Sequence, residues 1–149
     1  MSQYEDLGYD KVFVALDGSE QQGAVLDRAI TAAVTNNAHL VIGHVIDSTA
    51  LETTGSFPAN LIQSLDEAFR ASIADQVAAA EAEPLVKSVK VIVKAGRIRE
   101  TLKEEMLDVE NPDLVVCGAR GLSPIKYALL GSISTFLIRA SKKDVLVVK

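Results

Sequence analysis

A glycine pair and a glycine-serine step set a fixed distance apart are the part of this sequence best suited to chemistry. Gly118-Ala119-Arg120-Gly121 is followed, after nine residues, by Gly131-Ser132. Without a Cβ, the backbone N–H groups around Gly118 and Gly121 can approach an anion closely. Gly131-Ser132-Ile133 opens an amphipathic run. A helix start offers unpaired N–H groups and a positive dipole end to a phosphate, and the Ser132 hydroxyl can add a hydrogen bond. The stretch 122–130 is long enough to fold back and bring the glycine pair and the Gly131-Ser132 step onto one polyphosphate. GxxG alone is a weak signal, since any turn supplies it.

Asp17 is the second candidate, standing directly after the apolar run Val12-Phe13-Val14-Ala15-Leu16. A carboxylate repels phosphate, so its ligand partner would be a ribose hydroxyl or a base amino group. The structural alternative is an Asx turn or helix-entry residue beside Gly18-Ser19. Val45, leaving a second apolar run, can pack on an adenine ring. Arg120 either reaches a phosphate or is solvated on its loop. No Walker lysine follows the glycines, because Ile133 stands after Gly131-Ser132. Ser132 and Ser134 can help hold Mg²⁺ through phosphate oxygens, but no carboxylate is visibly placed to activate water. Binding is better supported than turnover, with slow hydrolysis the most that is expected.

Cys117 closes an apolar run with no identified base and reads as a buried thiol. As the sole cysteine it excludes an intrachain disulfide and a cysteine zinc cage. His39 and His44 are too few for a metal site, and His44 reads as a strand histidine.

These residues must be positioned by alternating elements. Short β-branched runs at 12–16, 40–46, 89–93, 114–117 and 145–148 predict five strands, and unbroken apolar runs suit strands covered on both faces. Between them, residues 20–36, 59–82, 98–109 and 132–141 carry apolar stripes at helical spacing. Ser19 and Gln22 have the spacing of a capping box. In the second stripe Leu61, Leu65, Phe69, Ile73 and Val77 recur every four residues; the third runs Ile98, Leu102, Met106, Val109. The order β-α-β-α-β-α-β-α-β implies a parallel sheet with right-handed crossovers and one domain over 1–149. With strand order 3-2-1-4-5, strands one and four are neighbours, and Asp17 and Gly118 flank one crevice at a topological switch point.

Fifteen Lys and Arg against twenty Asp and Glu give a net charge of −5, which argues against a nucleic-acid binder working through a broad positive field. Aromatics are 5% of residues and Trp is absent, so base stacking is a poor main activity. No run is long and apolar enough to cross a membrane. The acidic, polar start MSQYEDLGYDK is unlike a secretory signal, so a soluble cytoplasmic protein is expected.

Related folds lack their marks: no Asp ends strand three for a response regulator, no hydroxyl-rich loop follows strand one for a flavodoxin. There is no HxGH for a nucleotidyltransferase and no GxGxxG for a dehydrogenase. The sequence instead resembles the universal stress protein family, specifically its ATP-binding branch. Gly118, Gly121, Gly131 and Ser132 match the family pattern G-x2-G-x9-G-(S/T) without insertion. The likeness extends to Val14-Ala15-Leu16-Asp17-Gly18-Ser19-Glu20, His44-Val45-Ile46-Asp47 and Asp144-Val145-Leu146-Val147-Val148.

The resemblance implies a doubly wound, Rossmann-like α/β fold that binds ATP, or ADP or AMP, with Mg²⁺, in a stress-response or regulatory protein. Ala15, Asp17 and Val45 would surround adenosine with Cys117 beside the base or ribose, while Gly118, Gly121, Gly131, Ser132 and Ile133 would hold ribose and phosphates. Ala119 departs from the Ser or Thr often found there, removing a hydroxyl. A homodimer through the edge strand Val145–Val148 is expected, since an apolar edge invites pairing. Protein partners are not specified. The competing reading is a non-catalytic dimeric interaction protein with a vestigial nucleotide site.

Overall fold

The five apolar runs become strands because their side chains alternate onto two faces and both faces are covered. The computed structural model describes residues 3–4, 7–49, 60–120 and 131–149. The strands are β1 (Lys11–Leu16), β2 (His39–Asp47), β3 (Ser88–Gly96), β4 (Leu114–Gly118) and β5 (Asp144–Val148). They form one parallel sheet in the order β3-β2-β1-β4-β5, the doubly wound arrangement expected from the sequence.

One face of the sheet presents Val12, Val14 and Leu16 of β1 to the helices α1 (Gln22–Asn36), α2 (Leu61–Ser72) and α3 (Ala74–Ala82). The opposite face presents Phe13, Val115 and Cys117 to a fourth helix, α4, spanning 98–110, and to α5 (Ser132–Ala140). Gly43 of β2 lies under the Phe13 ring, where a Cβ would overlap the ring and press on the Met106 sulfur.

Three local expectations are corrected. Ser19 and Gln22 do not form a capping box: no side chain caps α1, and Gln22 Nε2 donates instead to Ser72 Oγ at 2.9 Å. The helix expected over 59–82 is two, broken at Ile73 (φ −116°, ψ 6°). A four-residue repeat drifts by about 40° per step around an α-helix, so one continuous helix could not keep Leu61 and Val77 on the same side. Ser72 Oγ donates back to the Phe69 carbonyl at 2.6 Å, and the break leaves Phe69 and Ile73 buried while Leu65 is exposed.

The third correction concerns Val109, which is 68% exposed. Residues Thr101–Leu107 form a π-helical segment, and the buried stripe after Met106 continues at Glu110. That carboxylate, 8% exposed, meets Lys90 Nζ at 2.9 Å and Lys11 Nζ at 3.6 Å. Burial pushes the Glu110 carboxyl up, but the Lys90 hydrogen bond and the charges of Lys90 and Lys11 outweigh it and hold it below the ordinary value.

The strand starts are clasped at the end of the sheet away from the switch point. Asp113 Oδ2 accepts from the backbone N–H groups of Asp10 and Lys11, each at 2.9 Å, and Asp113 N–H donates to the Lys11 carbonyl at 2.9 Å. Tyr9 Oη donates to Asp144 Oδ2 at 2.7 Å, tying the chain before β1 to the start of β5.

Candidate functional site

β1 feeds α1 on one face of the sheet, and its neighbour β4 is followed by α5 on the other. The connections therefore diverge between their C-terminal ends, leaving the crevice in which open α/β sheets bind ligands. Ala15 pairs in register with Gly43 of β2, and Ala15, Val45 and Cys117 all belong to the face covered by α4 and α5.

Asp17 begins the turn out of β1. Its Oδ1 accepts from the Ser19 N–H at 2.9 Å, an Asx turn in which Gly18 takes φ +79°. The Asx-turn alternative thus describes one oxygen. Oδ2 accepts no hydrogen bond from the described residues, and a carboxylate has acceptor capacity for both roles. The preceding carbonyl, Leu16 O, lies 2.8 Å from His44 Nδ1; since a carbonyl only accepts, Nδ1 carries the proton. The His44 ring stacks on Phe69 of α2 with centroids 4.1 Å apart. His44 is a strand histidine, as expected, and it holds the peptide group leading into Asp17.

At the other side of the crevice, Ala119 extends the sheet by one bond, its N–H donating to the Val148 carbonyl at 2.8 Å. Its own carbonyl accepts from the Gly131 N–H at 2.6 Å, so the end of β4 and the start of α5 are stapled together. The Ala119 side chain is buried, and its methyl is used for packing. Gly118 has a packing reason of its own: a Cβ there would come within 3.2 Å of Val25 of α1 and 3.4 Å of the Arg120 carbonyl. Arg120 is exposed. Gly121, with the rest of 121–130, lies outside the described residues.

Gly131 caps α5 at φ −71°, a value open to any residue, so its backbone does not demand glycine. Ser132 is exposed at the helix start and Ile133 packs inward. Ser134 is corrected as a magnesium candidate: it is buried, and its hydroxyl donates to the Gly131 carbonyl at 2.9 Å. Thr135 Oγ1 donates to the same carbonyl at 3.0 Å. Cys117 is a buried thiol as expected, 2% exposed, and burial pushes it up to about 11. Its side chain offers almost no surface to a ligand.

The sequence reading missed Arg99. A groove of about 470 Å³ runs between the start of α4 and the outer side of α5, lined by Arg99, Ser132, Thr135, Phe136, Arg139 and Ala140. The Arg99 guanidinium lies 5.9 Å from the Phe136 ring centre. No spacing rule connects Arg99 to the motif glycines, because only the fold brings α4 beside α5. A second hollow, about 530 Å³, lies against α2, α3 and Val91 of β3, away from the strand ends.

An open parallel sheet, with an acidic turn and a stapled helix start at its switch point, defines the class as a doubly wound α/β protein of the kind that takes ligands there. The chain belongs to the universal stress protein family, whose family model matches residues 8–149. A family relative from Staphylococcus saprophyticus is 26% identical over 143 residues, covering 96% of this chain and 85% of the relative. Among solved structures, the universal stress protein UspA from Lactobacillus plantarum shares the fold with a TM-score of 0.74 at 19% identity, over 95% of this chain and 99% of that one. A universal stress protein solved in complex with cAMP has a TM-score of 0.68 and is 31% identical, over 95% of this chain and 97% of that one.

Proposed function

We propose that this chain is an adenine-nucleotide-binding regulatory protein, taking ATP with Mg²⁺ and turning it over slowly if at all. The observation that carries the reading is the convergence at one crevice of the Asp17 turn, the Gly118 end of β4 and the α5 start held by the Gly131–Ala119 bond. The relative solved with cAMP supports an adenine nucleotide as the ligand class. In this reading Ala15, Val45 and the neighbourhood of Cys117 receive adenosine, and Asp17 Oδ2 accepts from a ribose hydroxyl. Gly118, Arg120, Gly121, Gly131, Ser132 and Ile133 address the phosphates.

Of the two serines considered for the metal, Ser132 is free to face phosphate-bound Mg²⁺ and Ser134 is engaged within its own helix. Bound Mg²⁺ would neutralise phosphate charge. The chain's own contribution is to hold the phosphates on the N–H groups of the α5 start. The protein acts in the cytoplasm as a homodimer of single-domain chains.

The test is to denature the purified protein and identify any released nucleotide by chromatography and mass spectrometry, alongside titration of the protein stripped of ligand with ATP and Mg²⁺. Near-stoichiometric adenine nucleotide, or saturable ATP binding weakened about tenfold or more by Asp17→Ala, is the expected result. An empty protein that also fails to bind ATP would favour the interaction-protein reading instead. Asp17→Ala is preferred to Gly118→Val, since valine at 118 would also collide with α1.

A further inference from the structure

We propose that the groove between α4 and α5 receives the terminal phosphates of the bound nucleotide, with Arg99 the residue that distinguishes a polyphosphate tail from a monophosphate. This rests on the nucleotide reading above and names which end of the ligand the chain selects.

Continuity is the first reason. Ser132 belongs both to the candidate phosphate pair Gly131-Ser132 and to the lining of this groove, so a phosphate chain leaving the α5 start has the groove as its onward path. Charge is the second. The whole chain is at −5, and the stretch between the motif glycines supplies Arg120 and Lys126, so any further cation beside the α5 start strengthens the local positive field met by a polyphosphate tail. Among the described residues Arg99 and Arg139 line the groove, no acidic residue does, and neither arginine pairs with a carboxylate.

Preorganisation is the third. Arg99 rests against the Phe136 ring, which restrains its planar fork without consuming its hydrogen-bond donors. A guanidinium held in this way loses less freedom on meeting a phosphate than a lysine on a flexible stem would. Thr135 spends its hydroxyl proton on the Gly131 carbonyl, which leaves Ser132, Arg99 and Arg139 as the side-chain donors among the groove's described lining.

Isothermal titration of ATP, ADP and AMP, each with Mg²⁺, into the wild type, Arg99→Ala and Arg99→Lys decides the matter. The wild type should bind ATP more tightly than AMP. Arg99→Ala should raise the Kd for ATP about tenfold or more, in keeping with loss of a charged hydrogen bond, and leave AMP within about twofold; Arg99→Lys should fall between. Arg99 is exposed, so thermal unfolding should be unchanged; if Arg99→Ala does not fold, Arg99→Gln takes its place with the same expected split. Equal weakening of ATP and AMP, or no weakening of either, overturns the proposal. A wild type that binds AMP but gains nothing from added phosphates overturns it while keeping the nucleotide reading, and a wild type that binds none of the three removes both.

Discussion

Cys117 and Gly43 show how single positions set limits on this protein. The Cys117 thiol titrates near 11 instead of the ordinary 9.0 because it is buried. Its folded value is raised, so the contribution of the neutral thiol is complete below pH 9 and lost as pH rises towards 11. At about 1.4 kcal/mol per tenfold change in proton affinity, that contribution is on the order of 2–3 kcal/mol. Urea unfolding at pH 7, 9 and 10.5 should show an alkaline loss of stability that is smaller in Cys117→Ala. Gly43→Ala should cost about 1–3 kcal/mol by overpacking against Phe13 and Met106, measured the same way at pH 7. The thiol's burial was legible from the apolar run that ends in it. The need for glycine at 43 was not, since it comes from a ring on the neighbouring strand.

Among the elements, strands were the most legible, because continuous β-branched runs bounded by Asp and Gly have few other readings. The helices were found but their interiors were misjudged where two signals compete. In α2 and α3 the four-residue stripe promises one helix, while helical drift and the Ser72 hydroxyl break it at Ile73. In α4 the π-helical segment carries the buried stripe to Glu110 and turns Val109 outward. Glu110 links this helix to β1 and β3 through Lys11 and Lys90. Its folded value is lowered, so its contribution is present above the ordinary 4.5 and lost as pH falls through the lower folded value. Unfolding followed between pH 6 and pH 3 should therefore show an acid-side loss that is reduced in Glu110→Gln. Of the candidate site, the Asp17 turn and the α5 start were legible from local spacing. Arg99 was not, because only the packing of α4 beside α5 places it.

The whole molecule has two unlike sheet edges. The β3 edge carries exposed Lys90 and Lys94, charges that discourage strand pairing. The β5 edge carries Val145, Leu146, Val147 and Val148, with Leu146 40% exposed. That asymmetry makes β5 the edge on which the proposed dimer would form. Light scattering at micromolar concentration should give twice 15.9 kDa, and Leu146→Glu should shift the mass toward one chain; a wild-type monomer would remove the dimer. The sheet's two ends are as unlike as its edges. Asp113 clasps β1 at the end remote from the ligand turns, so Asp113→Ala should lower stability by about 1–3 kcal/mol without altering nucleotide affinity, read by urea unfolding and titration together. On the nucleotide reading, the clasp at Asp113 and the residues that would meet the anion lie at opposite ends of the sheet. If that reading holds, a lineage built on this scaffold could change its ligand at exposed positions such as Arg99 or Ser132 while the remote clasp keeps the strands together.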